Sequence, residues 1–519
     1  MPAYGKGPKL RFDQLDDDQK RVVNLATMRG RNICCVGRAG TGKSETCEII
    51  VDELTNTSVR VAIVAPSGTA AVNVHAQTLH SFFGLGASTN KGIDEFVRSM
   101  KPTVRERIAC TDTLIIDEIS MVSYETFDRM DRMARAARDE PEKPFGGMQL
   151  IVFGDFCQLP PVKPEEHCFQ CGKKRTLITP PKRKRNRHSR KLWRCDDHGD
   201  IEDGDKMWAF KSAQWSQVGF VDIALTQVHR QQDPSFLAIL ANVRYGKPFT
   251  SREVALLMNH PCNVTNAVEL VSKRNEALRI NEDRFYELPG ETYEYECQDD
   301  FIWRRDIHPE LADINQNVRF SLREHPYEET VYLKKGQPVI LQRNIDVKKG
   351  LVNGSQGIID HFVDHRPRQQ RTSSLEDEHI SRERAQHMDD FMRHQRRTRR
   401  STKLPVVKFN NYADMVTIYP DCSVKELGFK TPHSLLIRTQ IPLLSGWALT
   451  IHKAQGMTLE KAIVQLGDCW QGGMAYVALS RVKTLDGLKV LDLTPTSMVH
   501  PLDDEVKTFL QVHFQANFT

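Results

Sequence analysis

The chain has 519 residues, more than a single hydrophobic core ordinarily organises, so two to four domains are expected. Lys and Arg number 72 against 67 Asp and Glu, yet eleven of the basic residues and no acidic ones lie between Lys173 and Arg194; elsewhere 61 face 67. A diffusely basic nucleic-acid coat is thereby excluded, the 39% hydrophobic content excludes a disordered chain, and no run of about eighteen apolar residues offers a membrane helix.

The N-terminus carries Asp13, Asp16, Asp17 and Asp18 without an apolar stretch, and reads as neither a secretory signal nor a transit peptide. Apolar runs at Asn32–Cys35, Val59–Ala65, Thr113–Ile116, Leu150–Phe153 and Phe220–Ala224 predict strands, with helical spacing over Ser44–Leu54 and Tyr124–Arg138. Cys34 and Cys35, inside the first run, read as buried free thiols. Strand and helix signals that alternate imply a doubly wound parallel sheet. The alternation returns near the end, where Ser445–Gln455 predicts a helix, Ala462–Gln465 a strand and Gly473–Arg481 a helix. Two α/β halves follow. Between them, Glu328–Asp360 and Leu404–Pro420 are rich in β and turn signals and predict a small β-barrel. Asp364–Lys403, with eleven basic and seven acidic residues and almost no apolar periodicity, reads as a solvated, disordered insertion.

Gly37-Arg38-Ala39-Gly40-Thr41-Gly42-Lys43-Ser44 follows a strand and opens a helix, the setting a P-loop requires. Its glycines let backbone N–H groups turn toward a phosphate, and the helix N-terminus adds partial positive charge. Lys43 supplies a point charge for β/γ oxygens and Ser44 a hydroxyl for Mg²⁺. Leu114-Ile115-Ile116-Asp117-Glu118 is a buried strand ending in two acids; with a P-loop upstream, Asp117 suits the Mg²⁺ shell and Glu118 the attacking water. An acidic helix cap is the bland alternative. These elements predict nucleotide hydrolysis without its purpose, since a small GTPase or a ring ATPase carries both.

Seven further motifs in chain order narrow the class. They are Thr78-Leu79-His80-Ser81-Phe82, Asp117-Glu118-Ile119-Ser120-Met121, Pro144-Phe145-Gly146-Gly147-Met148-Gln149-Leu150, and Gly154-Asp155-Phe156-Cys157-Gln158-Leu159-Pro160-Pro161-Val162. Leu225-Thr226-Gln227-Val228-His229-Arg230-Gln231, Ala448-Leu449-Thr450-Ile451-His452-Lys453-Ala454-Gln455-Gly456 and Val477-Ala478-Leu479-Ser480-Arg481 complete them. On these residues the chain resembles the Pif family of superfamily 1, 5′-to-3′ DNA helicases related to RecD. The resemblance runs from Leu15 to about Asp492 and omits the two insertions.

The resemblance implies two tandem RecA-like domains. The first covers 1–222, with a small wedge insertion at 84–107; the second covers 223–320 and 441–519, and a barrel-like insertion covers 321–440 with its disordered segment at 364–403. It implies ATP and Mg²⁺ as cofactors, with ATP held by Gln19, Gly37, Gly40, Thr41, Gly42, Lys43 and Ser44. Gln19 matches a glutamine whose amide can pair with adenine. It places Gln158 at the γ-phosphate and water, and Arg230 and Arg481 across the cleft at the same phosphate. It assigns single-stranded DNA to Ser67, Thr69, His80 and Ser81 on one half and to Thr450, His452 and Lys453 on the other; forked DNA is the implied partner. A non-unwinding nucleic-acid ATPase, a helicase-like protein derived from a transposable element and an RNA helicase are the competing readings.

One stretch departs from the family pattern. A short connection is expected between Val162 and Trp208-Ala209-Phe210, yet Lys163 to Met207 spans 45 residues. Within it stand Cys168-Phe169-Gln170-Cys171 and Cys195-Asp196-Asp197-His198, separated by 23 residues. Two ligand pairs at that internal spacing suit a tetrahedral zinc site, with His167 and His188 as substitutes for one ligand. Lys182-Arg183-Lys184-Arg185-Asn186-Arg187 reads as a nuclear-import signal or a basic finger on DNA phosphates; the expected compartment is the nucleus, with the mitochondrion as the alternative.

Overall fold

The computed structural model describes residues 12–67, 70–71, 77–85, 92–161, 167–178, 192–202, 207–303, 327–343, 345–346, 351, 353–365, 382–410, 412–427, 434–467, 469–493 and 502–516. Six parallel strands build the first lobe, in the order Gln77–Thr78, Val61–Ala65, Thr113–Ile116, Gln149–Gly154, Ile33–Gly37 and Val221–Leu225. Strands covered on both faces must be apolar throughout, which is why these runs stood out in the sequence. Their side chains alternate between two cores. Cys34, Leu114, Ile116, Leu150 and Val152 face one helical layer, while Ile33, Cys35, Ile115, Ile151 and Phe153 face the other. Burial pushes the Cys35 thiol up to about 12, so these cysteines behave as small apolar residues.

Because all six strands run the same way, their C-terminal ends share one edge. The P-loop, Ser67, Asp117, Asp155 and Thr226 therefore follow from different strands onto the same rim, where open α/β sheets bind ligands. The last strand of this sheet extends to Leu225, so the first lobe continues past the expected boundary at 222.

The second lobe holds a four-stranded parallel sheet, ordered Ala448–Thr450, Val268–Val271, Ala462–Gln465 and Leu488–Leu491. Here the helix predicted over Ser445–Gln455 is replaced by two short strands and one helical turn at Ile451–Ala454. Pairing of Ala448–Thr450 with Val268–Val271 buries Ala448 and Leu449, and this tertiary pairing overrides the local helical spacing. The Thr450 hydroxyl then caps the turn, accepting from Lys453 N at 3.2 Å.

The inserted β domain is larger than expected. Tyr293–Glu296 pairs with Thr330–Leu333 and Gln298–Trp303 with Ser434–Gln440, so it begins near residue 293 rather than 321. The disordered reading of 364–403 fails for its second part: Arg382–Arg397 is a helix whose Phe391 and Met392 enter the β-domain core, at 0% and 2% exposure. Two adjacent apolar residues among many charges left no periodic signal, yet they suffice to dock the helix. Gln395 adds a reciprocal amide pairing with the Glu296 backbone at 3.1 and 2.6 Å.

The C-terminal helix Asp504–Phe514 belongs to the first lobe, contrary to the assignment of 441–519 to the second. Val506, Phe509 and Leu510 join the first-lobe core, where the Phe509 ring stacks on Phe210 at 4.2 Å. The wedge segment forms helices Ile93–Arg98 and Pro102–Ala109. The Cys/His insertion forms a three-stranded antiparallel sheet of Thr176–Ile178, Leu192–Cys195 and Gly199–Glu202.

Candidate nucleotide site and strand-binding face

The P-loop wraps the N-terminus of the helix Lys43–Asn56. Gly40 and Gly42 adopt φ of 83° and 76°, which L side chains rarely enter, and a Cβ on Gly37 would lie 2.4 Å from Thr41 Oγ1. Lys43 Nζ donates to the Gly37 and Arg38 carbonyls at 2.7 and 3.0 Å, inside the loop it would share with a phosphate. Gln19 reaches the same loop, donating to Thr41 O at 3.2 Å, while its Oε1 accepts from Asp16 N in a capping box. Its amide is thus engaged within the protein and anchors the P-loop to the first helix; pairing with adenine would require it to release one of these bonds.

Asp117 and Glu118 stand at the end of the Thr113–Ile116 strand, 7% and 8% exposed. Burial, reinforced by the Glu118 charge and opposed by Lys43, pushes the Asp117 carboxyl up to about 7. Glu118 sits at φ 51°, an uncommon backbone for a non-glycine residue, and its Oε2 has no hydrogen-bond partner among the described residues. Gln158, on the loop after the Gln149–Gly154 strand, is buried, and its Oε1 likewise has no partner among the described residues.

The second lobe brings the opposite charge. The Arg230 backbone lies on the P-loop, donating to Gly40 O, and its Nη1 donates to Ser480 O at 3.0 Å. Arg481 is 2% exposed and donates to Val477 O, Met457 O and Ser480 Oγ. Burial, reinforced by the neighbouring Arg230, pushes the Arg481 guanidinium down to about 9, and no carboxylate pairs with it among the described residues. One wall therefore holds two buried carboxylates that a cation would compensate, and the other two guanidiniums that a polyanion would. Magnesium with a nucleoside triphosphate supplies both.

Three contacts absent from the sequence reading fasten the cleft. Ala39 N donates to the Tyr476 hydroxyl at 2.9 Å, joining the P-loop to the helix Met474–Leu479. Gly473 packs on the Gln158 loop, where a Cβ would lie 2.3 Å from Gln158 O. Asp155, fully buried, pairs with Arg244 of the helix Pro234–Arg244 at 2.7 Å, and the guanidinium holds its carboxyl below the usual range despite the desolvation. Asp155 lay inside a quoted motif; its partner 89 residues on gave no local signal. Arg244→Ala should destabilise the protein by about 3–5 kcal/mol, since it leaves a buried carboxylate unpaired. The Asp155→Ala/Arg244→Ala double variant should cost less than the two single losses combined. Because Asp155 is depressed, the pair's contribution is fully present above the ordinary carboxylate pKa and is lost only as pH falls below it; thermal melts of wild type and Arg244→Ala, taken from about pH 5 down to about pH 2, should converge at the acid end.

The residues assigned to a DNA strand divide between the lobes. Ser67 and His80 follow the edge strand Gln77–Thr78 and its neighbour Val61–Ala65, and so lie at one rim. Thr69 is outside the described residues, as is the side chain of Ser81, whose backbone is in the helix Leu79–Phe83. Thr450, His452 and Lys453 follow the edge strand of the second sheet, with Lys453 Nζ 3.7 Å from Glu328. Beside them Trp470 is 52% exposed, its ring 6.1 Å from that of His452 and nearly parallel. The sequence reading missed it.

Cys168, Cys171, Cys195 and His198 come together, their ligand atoms within 4.8 Å of one another. His167 instead bridges to Lys174, and His188 and the basic run Lys182–Arg187 lie outside the described residues.

Fold and site together define a two-lobed P-loop protein in which Arg230, with Arg481 buried beside it, lies against the P-loop of the first lobe. The sequence profile of PIF1-like helicases matches residues 14–173 and that of the DNA helicase Pif1 2B domain matches 326–362, within the inserted β domain. ATP-dependent DNA helicase PIF1 of Xenopus laevis is 32% identical over 488 residues, 93% of this chain and 62% of that protein. RRM3 of Saccharomyces cerevisiae, also described as an ATP-dependent DNA helicase, is 30% identical over 521 residues, 92% and 65%. The crystal structure of Pif1 helicase from Candida albicans superposes with a TM-score of 0.66 at 27% identity, covering 96% of this chain and 99% of that one. The chain belongs to the Pif1 family of helicases, and it spans a little under two thirds of the length of these curated relatives.

Proposed function

We propose that this chain is an ATP-driven motor that travels along single-stranded DNA, 5′ to 3′ as its family does, and unwinds forked or structured duplex in genome maintenance. The observation that carries it is the placement of Arg230 against Gly40 of the P-loop, with Arg481 buried beside it. In this reading Lys43 neutralises the β/γ oxygens, Ser44 and Asp117 hold Mg²⁺, and Glu118 with Gln158 orients the attacking water. The two arginines stabilise the charge that develops. Since phosphate binding spans the cleft, its loss on hydrolysis loosens one lobe from the other, and DNA held at both rims is advanced. The strand-binding groups are hydroxyls, imidazoles and an ammonium, suited to sequence-independent phosphate contact, with Trp470 offering a ring on which a base can stack.

The reading predicts ATP hydrolysis stimulated by single-stranded DNA and strand affinity that falls with salt, with a logarithmic slope of about 0.7 per phosphate neutralised. Titration of labelled oligonucleotide at several salt concentrations measures it; affinity independent of salt would refute the contact scheme.

We further infer that Cys168, Cys171, Cys195 and His198 hold zinc. Their sulfur–sulfur and sulfur–nitrogen separations of 3.5 and 3.6 Å approach the edges of about 3.8 and 3.6 Å that a tetrahedral zinc imposes. The Lys182–Arg187 run suits a nuclear-import receptor, which favours action in the nucleus.

A further inference from the structure

The Cys/His module does not hang free of the motor. Its first ligand pair forms a turn, closed by Cys168 N to Lys173 O at 2.8 Å and Gly172 N to Cys168 O at 2.9 Å, and this turn lies on the start of the wedge segment. Ile93 N, an unsatisfied donor at a helix N-terminus, donates to Phe169 O at 3.0 Å. Gly92 is buried beneath the turn: a Cβ there would lie 2.3 Å from Gln170 O and 3.1 Å from Cys171 Cα. Its φ of −66° suits any residue, so close approach, not backbone freedom, requires glycine. On the other side, Arg129 of the helix Tyr124–Arg138 is 1% exposed and places its guanidinium 5.6 Å from the Phe96 ring and 5.4 Å from the Phe169 ring. Arg175, three residues beyond the turn's Gly172, makes a buried ion pair with Glu125 of that same helix. The turn is therefore wedged between a helix of the ATPase lobe, which begins six residues after Glu118, and the first wedge helix, Ile93–Arg98.

A module whose buried apolar residues, among the described ones, are Cys168 and Cys195 has little core of its own to hold this shape. Metal ligation can supply the missing folding free energy. We propose that the Cys168/Cys171/Cys195/His198 site is a metal-dependent support for the wedge helices, so that its occupancy sets how ATP turnover is converted into strand separation. This rests on the motor and zinc readings above and adds to them a physical link between the two.

The full chain is assayed for bound metal, for hydrogen exchange of amides 93–109, and for duplex unwound per ATP hydrolysed. Wild type is expected to carry one zinc. Cys171→Ser should lose it, and amides of Ile93–Arg98 should exchange about tenfold faster. Gly92→Val, which forces the turn off the wedge without replacing a ligand, should keep DNA-stimulated ATP hydrolysis within about twofold yet unwind about tenfold less per ATP. If Gly92→Val weakens metal retention as well, that is the same coupling read in reverse and supports it. Should Gly92→Val lose its ATPase activity through misfolding, Phe169→Ala, which removes one ring from Arg129, replaces it. Bound zinc with unchanged exchange in Cys171→Ser and unchanged unwinding per ATP in Gly92→Val or Phe169→Ala overturns the support while leaving the zinc reading intact. Wild type without metal overturns both, and the motor reading survives either result.

Discussion

Lys43→Ala is expected to lower ATP hydrolysis by about 10²–10³-fold while the protein keeps its fold. The ammonium sits inside the P-loop, bonded to the Gly37 and Arg38 carbonyls, and no carboxylate ion pair depends on it among the described residues. Its loss removes a fixed positive charge from the place where phosphate charge develops, a preorganised interaction whose deletion typically costs a hundredfold to a thousandfold in such sites, about 10²–10³. The apolar strands and helices that shape the loop are untouched, so phosphate release should collapse while the thermal melt stays close to wild type. Residual turnover above a tenth of wild type would contradict the assigned role.

Arg481→Ala should retain ATP binding and lose DNA-stimulated turnover, by about 10³-fold, the low end of the range for arginines that reach a transferring phosphoryl group. The geometry makes the argument specific. Arg481 is buried beside Arg230, bonded through carbonyls to its own lobe, and carries a charge that no carboxylate neutralises among the described residues. A cation kept in that state has a stability cost, so its retention points to a ligand charge. Alanine relieves the repulsion between the two guanidiniums, and the melt should shift little compared with the activity. Lysine should restore little, because it lacks the planar fork that meets several oxygens at once. Nucleotide affinity and stimulated kcat are measured side by side; vigorous turnover in Arg481→Ala would remove Arg481 from the chemistry and contradict the role assigned to it.

Much of this site was legible because its residues sit where local pattern is strongest. Thr113–Ile116, Tyr124–Arg138 and Ala462–Gln465 take the bounds read from sequence, since buried parallel strands are unbroken apolar runs and the helix carries its own Ser123 cap. The loops that follow such strands fall on one rim by topology alone, which is why Lys43, Asp117 and Gln158 could be grouped before any coordinates. What escaped was set by long-range pairing. Ser445–Gln455 lost its helical spacing to a strand partner nearly two hundred residues earlier, at about Val268–Val271. Asp504–Phe514 returned to the first lobe through Phe509, and Phe391 docked a helix whose charge alone suggested disorder. Tyr476, 437 residues from Ala39, had no neighbour in sequence to reveal its contact with the P-loop. Arg230 and Arg481 were placed by motif resemblance; the seating of Arg230 on Gly40 and Ser480, with Arg481 buried beside it, came from the fold.

The most direct test of the account is strand displacement on forked DNA carrying either a 5′ or a 3′ single-stranded tail, with ATP, without it, and with Lys43→Ala. The two-lobed motor predicts displacement of the fork with the 5′ tail, in the presence of ATP, by the wild-type chain alone. Displacement that proceeds without ATP, or equally well with Lys43→Ala, would contradict a machine driven by closure of one lobe on the nucleotide of the other.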